Sequence, residues 1–239
     1  MCIFYIQEMK LAFISDIHSN IHALNSVIDK IDSLDVEKVF CCGDIVGYYA
    51  FPKDCIDLIK KRDIFSVMGN HDMAVVEDKS SWFADDGVFG IKYSRKNLSS
   101  DDIKLLAGLP YNALFDFDGI SFYIAHGSPR DNLFEYVHPH FSDEKLLEIG
   151  SKASADVIIL GHTHVQMEAE VDHKLFLNPG SVGQPRDGIS KSCFMVFDTK
   201  DSSRNWYRVS YDIESASKAV IESGLPRSLS DKLYNGGSK

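Results

Sequence analysis

Five short motifs put carboxylate, imidazole and amide side chains just after apolar runs. They are Asp16-Ile17-His18, Gly43-Asp44-Ile45-Val46-Gly47, Gly69-Asn70-His71-Asp72, Ala125-His126-Gly127 and Gly161-His162-Thr163-His164. Five of the nine histidines fall in these motifs, which makes a shared task more economical than scattered ones. Carboxylate, imidazole and amide oxygen suit Mn, Fe, Zn or Ni, and the lack of a thiolate disfavours a soft structural site. In Asp16-x-His18 the two side chains lie on one side of an extended segment, so both can reach one ion. His162-x-His164 has the same spacing. A carboxylate such as Asp44 has two oxygens and can bridge two ions. Taken singly the motifs are weak: D-x-H is common, and Gly43-Asp44 is an ordinary strand-ending turn. Gly161-His162-Thr163-His164, directly after Val157-Ile158-Ile159-Leu160, is the sharpest single signal. Five such placements together are not a coincidence of composition.

The elements that must position these residues alternate along the chain. Leu11 to Ile14 is a short buried strand, and Val39 to Cys42 and Ile64 to Met68 are two more. Between them, Ile21, Leu24, Val27, Ile28, Ile31 and Leu34 recur at helical steps. Pro52 then opens a helix with Asp54 and Asp57 early and Lys60, Lys61 and Arg62 late, as the helix dipole favours. This β-α-β-α-β order implies a parallel sheet with right-handed crossovers. Ligands of such sheets bind beyond the carboxyl ends of the strands, where the motifs sit. Residues 81–109 read as two helical pieces broken near Ser99-Ser100. The second half is richer in strands, at about 111–117, 120–125, 156–160, 166–171, 174–177, 192–198 and 205–211, with a helix near 142–152. A last helix runs from Ile213 to Ser223 and stops at Gly224. One domain over 1–239 accommodates this count, with an N-terminal extension over 1–8 and a flexible tail over 228–239. Met9 is an alternative first residue.

Composition bounds the function. The 239 residues include 25 Lys and Arg against 35 Asp and Glu, a net charge of −10. That excludes a broad nucleic-acid-binding face, which needs clustered cations. No run of 18 apolar residues occurs, so no transmembrane helix is expected. Cys2, Cys41, Cys42, Cys55 and Cys193 are odd in number and form no CxxC. They suggest neither a disulfide framework nor a thiolate zinc site, and point to a reducing cytoplasm. Cys41 and Cys42 read as buried core residues uninvolved in chemistry. The oligomeric state is not legible.

In this order, D-x-H, G-D-x-x-G, G-N-H-D, H-G and G-H-T-H resemble the calcineurin-like binuclear metallophosphoesterases, over about residues 10–212. Asn178-Pro179-Gly180-Ser181-Val182-Gly183-Gln184-Pro185-Arg186 resembles the small prokaryotic phosphodiesterase branch. The resemblance implies an α/β (α+β) fold, a four-layer α-β-β-α sandwich flanked by helices. It implies one ion on Asp16, His18 and His164, a second on Asn70, His126 and His162, and Asp44 bridging both. The ions would be divalent, with manganese first and iron, nickel or zinc as alternatives. His71 matches a family histidine that stands beside the substrate without binding metal. It would protonate the leaving oxygen or stabilise transition-state charge. The implied reaction is hydrolysis of phosphate esters, foremost phosphodiesters, by a hydroxide bridging the two metals, acting on a small phosphorylated substrate such as a nucleotide. The alternatives are a phosphomonoesterase, a nucleotide pyrophosphatase of the diadenosine tetraphosphate type, or a non-catalytic scaffold. Gly47-Tyr48 stands where Ser/Thr protein phosphatases of the family carry Asp and Arg, which speaks against that activity. Tyr48 to Pro52 is an aromatic loop that either stacks on a nucleobase or packs beneath its own loop. Arg186 either grips a phosphate oxygen or pairs with an acid such as Asp187. His22, His138, His140 and His173 match no motif.

Overall fold

A computed structural model describes residues 8–237. All but Glu8 of the expected N-terminal extension lies outside the described residues. The chain begins with β1 (Lys10–Ile14), α1 (Ile21–Asp32), β2 (Lys38–Cys41), α2 (Pro52–Lys61) and β3 (Phe65–Ser66). Asn20 caps α1 by accepting from the Ala23 N–H at 3.2 Å. Pro52 stands at the start of α2. Three helices follow, α3 (Asn70–Glu77), α4 (Asp85–Asn97) and α5 (Ser100–Ala107). Then come β4 (Asn112–Phe117), β5 (Ile120–Ala125), α6 (Asp143–Gly150), β6 (Val157–Ile159), β7 (Gln166–Val171), β8 (Lys174–Pro179), β9 (Ser192–Asp198) and β10 (Ser203–Val209). Helices α7 (Ile213–Glu222) and α8 (Arg227–Asn235) close the described chain.

The strands form two five-stranded sheets, ordered β10-β9-β1-β2-β3 and β4-β5-β6-β8-β7. β1, β2 and β3 are mutually parallel, as the βαβαβ reading requires. β5, β6 and β8 are parallel in the second sheet. Strand periodicity explains the layering. Leu11, Phe13 and Phe40 face the second sheet, where Phe122, Ile124, Val157 and Ile159 complete the inter-sheet core. Ala12 and Ile14 point the other way, onto α1 and α2 through Leu24, Val27 and Ile56. On the far side, Tyr123 and Ile158 pack on α6 through Leu146 and Ile149. The result is the four-layer α-β-β-α sandwich. Because both faces of β1 and β6 are buried, their sequences read as unbroken apolar runs. Cys41 and Cys42 are fully buried on opposite faces, and burial pushes both thiols well above the ordinary range.

Asn70 of Gly69-Asn70-His71-Asp72 is the first residue of α3. One expectation needs correction. The flexible tail expected over 228–239 is instead mostly α8. Leu229 and Leu233, one helical turn apart, bury against Tyr49, Ala50 and Val220. Pro226, just before the helix, marks its start.

Candidate metal centre

All five motifs meet at one edge of the sandwich. Asp16 and His18 follow β1, Asp44 follows β2, Asn70 and His71 follow β3, His126 follows β5, and His162 and His164 follow β6. These are the carboxyl ends of parallel strands, drawn from both sheets. The donors sort into two abutting groups. In the first, His18 Nε2 lies 3.1 Å from His164 Nε2, and Asp16 Oδ1 lies 3.2 Å from His164 Nε2 and 3.8 Å from His18 Nε2. In the second, His126 Nε2 lies 2.9 Å from Asn70 Oδ1 and 3.1 Å from His162 Nδ1. Asp44 stands between them, with Oδ2 3.6 Å from His18 Nε2 and 3.3 Å from His126 Nε2.

The local backbone is not extended. Asp16, His18, Asp44, His162 and His164 all have φ between 50° and 66°. Left-handed backbone at five non-glycine residues costs conformational energy, and such strain concentrates at functional sites. It also corrects the equal-spacing argument. His162 and His164 do not reach one point but turn into different groups.

The protonation pattern tests whether cations fit. His18 Nδ1 faces the Val46 carbonyl at 3.3 Å, His126 Nδ1 the Cys42 carbonyl at 2.8 Å, and His164 Nδ1 the Gln184 carbonyl at 2.5 Å. A carbonyl only accepts, so each Nδ1 carries a proton, and in the neutral rings of His18 and His164 Nε2 presents a bare lone pair inward. Two bare lone pairs 3.1 Å apart repel unless a cation lies between them. Asp16 Oδ1 is buried without a hydrogen-bond partner. Acceptors converge on acceptors, which is the donor arrangement of a metal site and not of a hydrogen-bond network. Asp16, His18 and His164 each offer an atom within 4.8 Å of the others, as do Asp16, Asp44 and His126.

The electrostatics agree. Burial opposes ionisation of Asp16 and Asp44, yet the surrounding histidines hold both carboxyls well below the usual range. Burial pulls His126 down, but Asp44 and then Asp16 outweigh it and lift the ring to about 9. In the metal-free protein His126 therefore carries a second ring proton, which offsets one of the two carboxylate charges of Asp16 and Asp44. Adding a divalent ion near pH 7 is expected to displace about one proton, and affinity is expected to rise with pH up to about 9. A titration in weak buffer with an indicator dye checks this. Ion uptake without proton release would show that His126 is already neutral.

A second layer of residues fixes the ligands. Asp44 Oδ1 accepts from the His71 N–H at 2.8 Å, and Asp16 Oδ2 from the His162 N–H at 3.1 Å. Asp72 accepts from the N–H groups of Val46 and Gly69, both at 3.0 Å, so it ties the β2 loop to the start of α3. Burial, reinforced by Asp44, lifts its carboxyl to about 7. The segment after β8 braces the other side. Asn178 Nδ2 donates to the Gly161 carbonyl at 2.6 Å, and Ser181 Oγ donates to the Asp16 carbonyl at 2.7 Å. Sequence reading assigned Asp72, Asn178 and Ser181 no role, although all three lie inside quoted motifs.

A cavity of about 460 Å³ opens onto Asp44, Asn70, His71, His162 and His164. His71 packs its ring 4.7 Å from His18, 4.6 Å from Tyr48 and 4.6 Å from Phe83. Its Nδ1 has no hydrogen-bond partner. Tyr48 packs beneath its loop, and its hydroxyl accepts from Arg186 Nη2 at 3.1 Å. Arg186 also donates to Gln184 Oε1 at 3.2 Å. Asp187 pairs with Arg208 instead, so among the described residues no carboxylate pairs with Arg186. Tyr136 stacks on His162 at 3.8 Å, a contact that nothing in the sequence signalled. The other histidines stay outside the metal centre. His22 packs on Phe51, and His138 stacks with His140. His173 lies in the β7–β8 turn.

Gly47 makes this packing possible. Its φ is 132°, and a Cβ there would sit 2.8 Å from Nδ1 of both His18 and His71. Gly47→Ala is expected to destabilise the protein by more than about 1 kcal/mol and to lower kcat by moving both rings. Thermal unfolding and kinetics on the same preparation check it. A variant with unchanged Tm and kcat would show that the loop yields freely.

A two-sheet sandwich with two abutting groups of oxygen and nitrogen donors at its strand ends defines a dinuclear metallohydrolase. The chain belongs to the calcineurin-like phosphoesterase superfamily, whose domain model matches residues 9–202. It is a phosphoester hydrolase of that type. An uncharacterised protein of Methanocaldococcus jannaschii is 35% identical over 95% of this chain and 98% of its own length. A phosphodiesterase of the same archaeon is 27% identical over 76% of this chain and 92% of its own. The crystal structure of a metallophosphoesterase from Sphaerobacter thermophilus matches with TM-score 0.83 and 29% identity, over 96% of this chain and all of that one.

Proposed function

We propose that this protein hydrolyses phosphodiesters of a small phosphorylated substrate, using two divalent ions. Asp16, His18 and His164 would hold one ion, Asn70, His126 and His162 the other, and Asp44 would serve both. The observation that carries this is the convergence of bare imidazole lone pairs on unpartnered carboxylate oxygen. When bound, the ions supply Lewis acidity and lower the pKa of a bound water. The chain's own residues do the rest. Arg186, with no carboxylate of its own, grips a non-bridging phosphate oxygen. Tyr48 and Gln184 hold its guanidinium at the cavity wall. His71 faces the same cavity and supplies its ring N–H to the reacting phosphoryl group. Asp72 and Asn178 keep the ligand-bearing loops in register.

One unpaired guanidinium matches a monoanionic diester better than a dianionic monoester. Lys232, the other cation at the cavity, is already paired with Asp86 at 2.7 Å. The relative named a phosphodiesterase favours the same reading. Oxygen and nitrogen donors without thiolate suit manganese, iron, nickel or zinc, and manganese is taken first on the family resemblance. Cys41, Cys42, Cys55 and Cys193 are free and buried, in keeping with a reducing, cytoplasmic setting.

The test compares bis(4-nitrophenyl) phosphate with 4-nitrophenyl phosphate on purified protein with added manganese, alongside elemental analysis. Faster turnover of the diester and two ions per chain are expected. Preference for the monoester would move the reading to a phosphomonoesterase. Tight binding of two ions without turnover of either ester would mark a scaffold.

A further inference from the structure

Three large aromatic side chains stand exposed at the mouth of the metal-centre cavity. Trp82, Phe134 and Tyr136 are 49%, 40% and 43% exposed, and all line that cavity. They come from two separate segments, the one between α3 and α4 and the one between β5 and α6. Scattered exposed aromatics are ordinary, but a cluster on the rim of an active site is not. The rings are also held in place. Trp82 lies 6.3 Å from Phe134 at 82° and 5.9 Å from Phe83. Phe83 in turn lies 4.6 Å from His71. The aromatic path therefore runs from the reacting end of the cavity to its rim in two ring-to-ring steps. Tyr48, the aromatic that the sequence offered for stacking, is committed to packing and to Arg186.

We propose that the indole of Trp82, fixed by Phe83 and Phe134, is a stacking platform for the base of a nucleoside phosphodiester. This rests on the phosphodiesterase reading above. Base stacking suits the site for three reasons. The exposed ring is flat and already packed against Phe83 and Phe134, which lessens the ordering that binding requires. The same cavity holds the phosphate-directed groups His71 and Arg186. Its remaining wall sets Gln184 and Lys232 beside Tyr48, Phe83 and Ala84, a mixed lining that suits a base with polar edges better than an alkyl chain. Stacking tolerates any base, so the platform selects a nucleoside without reading its identity.

The experiment uses two diesters with one leaving group, thymidine 5′-(4-nitrophenyl phosphate) and methyl 4-nitrophenyl phosphate. Their kcat/KM ratio isolates the base from the chemistry. The wild-type ratio is expected to favour the nucleoside ester. Trp82→Ala is expected to lower that ratio roughly 5- to 150-fold, mainly through KM. Phe134→Ala, which loosens the indole, is expected to lower it less. Tyr111→Ala removes an exposed aromatic outside the cavity and is expected to leave the ratio unchanged. Binding gives an independent readout. Thymidine 5′-monophosphate is expected to quench the fluorescence of the metal-loaded wild type but not of Trp82→Phe, and ribose 5-phosphate neither. An unchanged ratio in Trp82→Ala, or quenching that survives in Trp82→Phe, overturns the proposal. So does octyl 4-nitrophenyl phosphate outcompeting the nucleoside ester. If neither 4-nitrophenyl diester is hydrolysed, the phosphodiesterase reading falls, and the fluorescence titration still decides the base site.

Discussion

Asp44→Asn is expected to leave the protein folded, short of its full metal complement and nearly inactive. The substitution keeps an oxygen for the His71 N–H, which Asp44 Oδ1 accepts at 2.8 Å. It removes the negative charge, and that charge faces both donor groups, through His18 at 3.6 Å and His126 at 3.3 Å. Asp44 is thus the carboxylate that contacts a histidine of each group directly, so its change should weaken both. Lewis-acid stabilisation is worth several kcal/mol, and at about 1.4 kcal/mol per tenfold its loss corresponds to roughly a 10³-fold fall in kcat. Elemental analysis is expected to give fewer than two ions per chain. Circular dichroism and Tm report folding separately. A folded variant that keeps both ions and its turnover would show that the two groups do not share Asp44.

The candidate metal centre was legible because its chemistry is local. Each candidate ligand lies within four residues of the end of an apolar run, and strand ends in a parallel sheet share one edge. The inter-sheet core was legible for the same reason, since β1 and β6 carry their burial as unbroken apolar runs. What failed to show were contacts made by segments far apart in the chain. Trp82 and Phe134 meet only because the two sheets close face to face and bring their loops over one cavity. Asn178 braces Gly161 only because β8 runs beside β6. Helix α8 is nine residues long, too short for periodicity to separate from a polar tail. Its Leu229 and Leu233 gain their burial from Tyr49 and Val220, not from their neighbours in sequence. The left-handed backbone at Asp16 and His162 was hidden because nothing in a D-x-H or H-x-H motif distinguishes an extended segment from a strained turn.

His71→Ala is expected to lower kcat roughly 10²- to 10³-fold while both ions remain bound. Adjacent residues diverge here as a helix start requires. Asn70 Oδ1 turns to His126, whereas the His71 ring lies among His18, Tyr48 and Phe83. The sequence left two roles open, proton donor to the leaving oxygen or stabiliser of transition-state charge. The structure favours the second. Burial pushes the ring down to about 4. Asp44 opposes that shift, while Arg186 and His164 add to it. Bound cations act in the same direction as Arg186, so the ring is expected to be neutral at pH 7 and would donate a hydrogen bond without giving up a proton. Two consequences separate the roles. A hydrogen-bond donor to the phosphoryl group should be missed equally by alkyl and nitrophenyl esters. A proton donor should be missed most by alkyl leaving groups, which depart poorly as anions. Measuring kcat against leaving-group pKa for wild type and variant is therefore expected to give parallel lines. A steeper line for His71→Ala would restore the proton-donor role. A variant that raises KM at unchanged kcat would confine His71 to ground-state binding.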